Sequence, residues 1–417
     1  MEYFPEVRFQ CQYCAVGCCS RFEVTVNEEE RKRIEGFRMT DVPPPEVCFL
    51  PQPDGKGYLL AKDPETGNCV FADGNRCKIH TRFGYAMKPL SCRIFPLHLQ
   101  QWSDGKTSAE YRFVCPGVAS AKGKTRAEEH KDIAKLMREL QGRSKVVDAA
   151  YSAENPAPLE KIRMVHQAFR ELLHDESEPL ALRLYGAARI LAFHSSREMH
   201  SAISGAGKEF AADAVAFFRK AEDPLKQELA QGKIDALVRA NFRNLVCGYL
   251  RSDLPGAGAL KDRLRRTWTL FRISSGLDTL QALHKDAPAV PGTMLPWKNA
   301  RFTLTPEAKE IFRMFFYGKL DAMHFCGGMT HFFHYEDGLR HLLLAAPVTF
   351  SLAAGYAWSR EDTLITAEDM RRSVVLTDAT FGRSPFFRLR IAQRWIRHLS
   401  NPAAFAGLLQ GGICDGI

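Results

Sequence analysis

The chain has 417 residues, a net charge of +9 and 45% hydrophobic residues, enough to bury a sizeable core in two or three domains. The mild basic excess permits an acidic partner, and no clear nucleic-acid motif accompanies it. Residues 1–10 lack the apolar stretch of a secretory signal, and the uncharged segment 342–358 is shorter than the roughly 20 residues that a membrane span needs. We therefore expect a cytoplasmic protein without a membrane span, in which segment 342–358 is a buried helix.

The first 120 residues are rich in turn residues and predict only short elements. A strand over 21–26 precedes a charged helix, which begins with the capping box of Asn27 and Glu30 and runs through Phe37. A proline-rich loop follows. Further short strands are predicted at 57–62, 68–72 and 110–115.

From Thr125 the apolar residues recur at helical spacing. Thr125 and Glu128 form a second capping box, and Thr305 followed by proline is a further helix start. Helices are predicted over 133–140, 162–172, 180–250 and 260–284, and from 305 to about Gly407. The fold class is α+β: a small cysteine-rich metal-binding module, residues 1–120, precedes a large, mainly α-helical domain, residues 121–417. A proline-rich linker gives that domain a sub-boundary near 287–300.

The twelve cysteines are unevenly distributed, with nine of them between Cys11 and Cys115. Such clustering in a long chain without a signal peptide indicates metal binding in a reducing compartment rather than a disulfide framework. We interpret Cys48 as a buried small hydrophobe. The remaining thiols of the cluster are Cys11, Cys14, Cys18, Cys19, Cys69, Cys77, Cys92 and Cys115.

These eight thiolates suffice for two tetrahedral sites, or for one four-ligand site with partners left over. Zinc and iron–sulfur clusters take the same ligand, so the spacing leaves both metals open. The C-x3-C-x2-C run of radical S-adenosylmethionine enzymes is absent, because Arg21 stands where its third cysteine would fall after Cys14 and Cys18.

A set of short motifs resembles the cysteine-cluster family of the YkgJ type, which is described as zinc- or iron-chelating and includes flagellin lysine N-methylases. The motifs are RFQCQYC at 8–14, CC at 18–19, NCVF at 68–71, CKIH at 77–80, KPLSCRIFP at 88–96 and CPG at 115–117. The resemblance implies the same eight cysteines as metal ligands. Three residues separate Cys14 from Cys18, where the family usually has two, so either Cys18 or Cys19 can be the ligand of the pair.

Two hypotheses from different classes remain, with a redox sensor as a third. In the first, the protein is an iron–sulfur protein-lysine N-methyltransferase that uses S-adenosylmethionine and acts on a protein substrate. In the second, a structural zinc site supports a helical binding or scaffold protein without catalytic activity. Neither hypothesis assigns catalytic or cofactor-binding residues or an oligomeric state.

Other polar residues carry weaker signals. Arg93 is expected either to offset thiolate charge or to be solvated, and His80 to be a ligand or a donor to sulfur. A second set is interpreted as a packed aromatic helix face rather than a metal site; it comprises His324, Cys326, His331, His334 and His341.

The sequence also contains two glycine pairs and two basic runs. The glycines at 204–208 and 256–258 are interpreted as turns rather than nucleotide loops, because each motif lacks required positions. Basic runs lie at 261–266 and 383–397. The second predicts an amphipathic helix whose basic face is solvated, with docking to an acidic protein, nucleic acid or membrane as the alternative.

Overall fold

The computed structural model divides the chain into two compact units. It describes residues 24–52, 55, 57–74, 76–120, 135–136, 138–139, 146–153, 157–194, 216, 218, 220–250, 268–297, 302–327 and 334–412. Of these described residues, those between 24 and 99 and between 109 and 139 form the N-terminal unit, and those between 100 and 108 and between 146 and 412 form the helical unit. Small sheets near the N-terminus and a larger helical part confirm the α+β class.

The N-terminal part of the chain is built from short elements. They are β1 (Thr25–Val26), α1 (Glu28–Glu35), α2 (Pro45–Cys48), β2 (Phe49–Pro51), β3 (Tyr58–Leu60), β4 (Ala72–Asp73), β5 (Arg76–Cys77), α3 (Lys78–Phe83), α4 (Leu90–Ile94), β6 (Leu97–Gln101), β7 (Thr107–Tyr111) and α5 (Pro116–Ala119). Strands β1, β3 and β2 form an antiparallel sheet in that order, β4 pairs with β5, and β6 pairs with β7.

The predicted capping box is confirmed. The Glu30 backbone N–H donates to Asn27 Oδ1 at 2.8 Å, and the Asn27 N–H donates to Glu30 Oε2 at 3.1 Å. Helix α1 ends at Glu35, two residues before the predicted end. The strand predicted over 110–115 is wrong in its second half: β7 ends at Tyr111, and the chain turns so that Cys115 directly precedes helix α5.

The helical unit contains longer elements. They are α6 (Leu159–His174), α7 (Leu180–His194), α8 (Glu222–Ala230), α9 (Ala236–Leu250), β8 (Thr303–Leu304), α10 (Pro306–Asp321), α11 (Tyr335–Trp358), β9 (Leu364–Ile365), α12 (Ala367–Thr380), α13 (Arg390–Leu399) and α14 (Pro402–Gly412). Thr305 caps α10 as predicted, because its Oγ1 accepts a hydrogen bond from the Ala308 N–H. Strands β8 and β9 pair in parallel.

Helix α11 is the centre of the helical unit, and it packs against α7, α10, α12, α13 and α14. In the part of the chain that the structure describes, it alone is long and apolar enough to cross a membrane. Because 94% of its most apolar window is buried inside the protein, the prediction of a buried helix over 342–358 is confirmed. The core helix of a folded domain has the same length and composition, so this finding is weak evidence for a membrane span.

Two helix predictions are corrected. The helix predicted over 260–284 has a described part at 268–274, after which Gly276 adopts a φ of +78° and a short 3₁₀ turn, Leu280–Ala282, follows. The basic run at 383–397 is not one helix. A 3₁₀ turn, Pro385–Arg388, is separated from α13 by the extended backbone of Leu389.

The proline-rich segment after position 286 packs inside the helical unit, where Ala287, Val290 and Leu295 are fully buried. Several sequence features lie outside the described residues. They are the Thr125–Glu128 capping box, the glycine motifs at 204–208 and 256–258, the basic run at 261–266, and most of the helix predicted over 133–140.

Candidate metal centre

Four of the eight predicted ligands belong to the described structure: Cys69, Cys77, Cys92 and Cys115. The other four, Cys11, Cys14, Cys18 and Cys19, lie outside the described residues. No disulfide joins any two described cysteines. The four described candidate ligands are therefore thiols, the form from which metal-binding thiolates are made.

A tight loop after β3 positions Cys69. Asp63 Oδ1 accepts hydrogen bonds from the Glu65 and Thr66 backbone N–H groups, which closes the loop. The returning chain forms an antiparallel bridge between Lys62 and Cys69. The position of Cys69 is therefore determined by the end of β3.

The β4–β5 turn positions Cys77. Gly74 adopts a φ of +54° in this turn, and Cys77 pairs with Ala72 across the two strands. The Lys78 N–H donates to the Phe71 carbonyl at 2.9 Å, so helix α3 begins directly after Cys77. Cys77 is thus held at a junction between a strand and a helix.

Cys92 lies on the short helix α4, which is anchored to the first elements of the unit. The Leu90 N–H donates to Glu30 Oε1 at 2.8 Å, and Ser91 Oγ donates to the Thr25 carbonyl at 2.8 Å. Cys115 is buried and precedes Pro116 at the first position of α5. The four described candidate ligands therefore come from four separate parts of the chain.

An apolar cluster connects three of these cysteines. Cys69, Cys77 and Cys92 are partly buried and pack against it. Its buried members are Val24, Val26, Ile34, Cys48, Phe49, Leu60, Phe71 and Ile79. The interpretation of Cys48 as a core residue is confirmed: its thiol donates to the Pro43 carbonyl at 3.0 Å, and burial raises the pKa of that thiol.

The charged residues in the stretch that carries Cys77 and Cys92 are all basic. Between Asp73 and Asp104 the sequence has no acidic residue, and its basic residues are Arg76, Lys78, Arg82, Lys88 and Arg93. This positive charge would offset the negative charge of clustered thiolates. Asp41 neutralises part of it, because Arg82 and Lys78 contact its carboxylate at 2.7 and 3.2 Å and hold the pKa of Asp41 well below its usual range.

The expectation that Arg93, the neighbour of Cys92, is solvated is wrong. Its side chain is only 11% exposed and forms an ion pair with Glu139 at 2.5 Å. Its carbonyl accepts a hydrogen bond from Tyr85 Oη at 2.5 Å. Sequence reasoning missed Glu139 and Asp41, because ion pairs between positions so far apart leave no local pattern. His80 lies beside the Tyr85 ring, and burial lowers its pKa.

The second histidine set does not form one face. His324 Nε2 lies 3.1 Å from Ser108 Oγ, whereas His341 Nε2 lies 2.7 Å from Tyr249 Oη and its ring stacks on Phe381. His334 directly precedes helix α11, and His331 lies outside the described residues. Cys326 is buried, which raises the pKa of its thiol.

Comparison with protein families identifies the class of the cysteine-rich segment. Residues 10–116, about a quarter of the chain, match the CxxCxxCC family model, described as "Putative zinc- or iron-chelating domain". The resemblance to the cysteine-cluster family is confirmed over this segment, which is similar to metal-chelating cysteine-cluster domains. The described thiols fit such a metal, since thiolate sulfur is a ligand of both zinc and iron–sulfur clusters.

One curated relative extends the comparison. An uncharacterized protein of Methanocaldococcus jannaschii is 28% identical over 138 residues, which cover 33% of this chain and 46% of the relative. The chain thus spans less than half the length of that relative. No solved structure matches this chain.

Proposed function

We propose that the N-terminal unit binds an iron–sulfur cluster through its cysteine thiolates, in the reducing conditions of the cytoplasm. The observation that carries this proposal is that Cys69, Cys77 and Cys92 reach one apolar cluster from three separate elements, inside the segment that matches the chelating-domain model. When bound, such a cluster supplies one-electron chemistry or an open iron coordination position. The proposed ligands are drawn from Cys11, Cys14, Cys18, Cys19, Cys69, Cys77, Cys92 and Cys115.

Lysine N-methylation with S-adenosylmethionine is the enzymatic form of this proposal. It rests on the resemblance to flagellin lysine N-methylases. Such an enzyme needs an iron that no protein thiolate occupies and a substrate lysine whose amine is kept neutral by desolvation. A closed zinc site, with four protein ligands on every metal, would leave a structural module instead.

Metal and acid-labile sulfide analysis of the full chain, purified without oxygen, tests the proposal. We expect iron and sulfide together with broad visible absorbance. Zinc alone, without colour, would contradict the iron–sulfur assignment and with it the methylase. Methyl transfer from labelled S-adenosylmethionine to lysine-containing protein then tests the enzymatic form separately.

Single serine variants identify the ligands. Cys69→Ser, Cys77→Ser, Cys92→Ser and Cys115→Ser should each lower the metal content of the purified protein. Cys48→Ser is the matched control, because its hydroxyl can donate to the Pro43 carbonyl as the thiol does. Metal content that is equal in the control and in all four variants would show that these thiols are not ligands.

A further inference from the structure

We propose that helix α13 and the turn before it form a docking surface for an acidic segment of a partner protein. This surface, the arginine edge, consists of Arg388, Leu389, Arg390, Ile391 and Arg394. All five residues are exposed, and Leu389 and Ile391 are 49% and 46% exposed. It therefore presents guanidinium groups together with two large apolar side chains.

The packing of α13 determines which side of the helix is exposed for docking. Ala392, Ile396 and Leu399 are buried, and the helix packs against α9 and α11. Trp395 lies beside the Phe386 ring, with 5.8 Å between ring centroids. The apolar side of α13 is thus already covered by the helical unit, and the arginine edge lies on the exposed side.

The charge along this part of the chain has one sign. Residues 379–399 contain no Asp or Glu, and their arginines are Arg383, Arg388, Arg390, Arg394 and Arg397. Arg397, at the end of α13, contacts the Asp337 carboxylate at 3.1 Å. Arg390 and Arg394 form no ion pair with any acidic side chain of the described residues.

These two arginines are placed where they oppose helix formation. Arg390 is the first residue of α13, where the partial positive charge of the helix N-terminus favours acidic rather than basic side chains. Arg394 follows four residues later on the same face, and like charges at this spacing repel. A merely solvated face would be more stable with acidic residues here. The arrangement is explained if a partner supplies the missing negative charge.

The chemistry of the edge favours an acidic polypeptide over other anions. Arginine pairs with carboxylates through two parallel hydrogen bonds, and the two apolar side chains can contact apolar residues between the acids. A membrane-surface helix inserts its apolar face, but that face of α13 is buried. Nucleic acid would place charged phosphates against Leu389 and Ile391, and burial of these apolar side chains against phosphates would not stabilise the complex.

Fluorescence anisotropy of the full chain with a labelled peptide of repeated Glu-Glu-Leu triplets tests this proposal. We expect binding that weakens about tenfold with the matching Gln-Gln-Leu peptide, since loss of charge pairing is worth a factor of this order. The Arg390→Glu/Arg394→Glu variant should show a similar loss. It should fold, because an acid at the helix start favours α13.

The control is a double variant that changes the net charge by the same amount at another place on the helical unit. Lys233 and Lys285 are exposed, so Lys233→Glu/Lys285→Glu should retain peptide affinity within about twofold. Equal losses in both double variants would overturn the proposal, as would unchanged binding by Arg390→Glu/Arg394→Glu. Tighter, arginine-dependent binding to phosphatidylserine vesicles or duplex DNA than to the peptide would also overturn it.

Discussion

Glu30 and Leu90 connect the first helix of the N-terminal unit to the helical turn that carries Cys92. Glu30 Oε1 accepts the Leu90 backbone N–H at 2.8 Å, while its other oxygen closes the capping box with Asn27. The Glu30 side chain is buried, so one carboxylate stabilises the start of α1 and the start of α4. A proposed metal ligand therefore depends on a residue 62 positions before it in the sequence.

Replacing this carboxylate should weaken both the fold and the metal site. Glu30→Ala leaves the buried Leu90 N–H without an acceptor, which should reduce the free energy of unfolding by about 1–3 kcal/mol. Urea denaturation followed by circular dichroism measures this loss, and metal analysis should show lower occupancy. Glu29→Ala, at the exposed neighbouring position, should change stability by less than about 0.5 kcal/mol. Similar losses in both variants would contradict the assigned role of Glu30.

The two roles of Glu30 show which parts of the structure the sequence could predict. The capping box joins residues three apart and leaves a local pattern, so it was recognised. The contact with Leu90 joins residues 60 apart and leaves none. The cysteine ligands were proposed from clustering and motif resemblance, whereas the packing of three thiols on one apolar cluster depends on turns at Asp63 and Gly74 whose geometry appears only in the fold.

The sequence likewise predicts the helix boundaries of the helical unit only in part. Apolar periodicity predicted helix through 284, but the described helix ends at residue 274 and Gly276 follows with a φ of +78°. A side chain at position 276 would also lie within 3 Å of Thr293, a contact between distant segments that leaves no local pattern. The buried helix over 342–358 was predicted correctly, since an uncharged run of that length has few alternatives. A buried ion pair between α10 and α12, two helices that pack against it, was not foreseen.

Lys319 and Asp378 form that buried ion pair between α10 and α12, with 5% and 1% of their side chains exposed. Lys319→Met should lower the free energy of unfolding by about 3–5 kcal/mol, because an uncompensated carboxylate is left in the core. The double variant Lys319→Met/Asp378→Leu should recover most of this loss. Denaturant titration of the two single variants and the double variant gives the coupling energy. Strictly additive losses would show that the two side chains do not interact.

Stability should fall in mild acid because two histidines are buried in neutral form. Burial lowers the pKa of His166 and of His341 from 6.5 to about 3. The unfolded chain therefore binds protons that the folded chain does not, so stability is complete above pH 6.5 and falls as the pH drops from 6.5 towards 3. At pH 5 each histidine should account for about 2 kcal/mol.

The variant His341→Gln separates one contribution, because an amide can still accept a hydrogen bond from the Tyr249 hydroxyl. Its loss of stability between pH 7 and pH 5 should be smaller than that of the wild-type chain by about 2 kcal/mol. Denaturation midpoints at the two pH values provide the measurement. An equal acid-induced loss in both proteins would mean that His341 is protonated in the folded state.

Removal of the metal should loosen the N-terminal unit selectively. Cys69, Cys77 and Cys92 lie on separate short elements that share one small apolar cluster, so a metal would be a major constraint between them. After chelation, amide hydrogen exchange over residues 58–94 should accelerate by about tenfold or more, which is the response expected when a bound ligand is lost. Helix α11 has its own extensive core and should keep its protection. Exchange that is unchanged over 58–94 would mean that the apolar cluster alone holds these elements, and that the thiols bind metal without stabilising the fold.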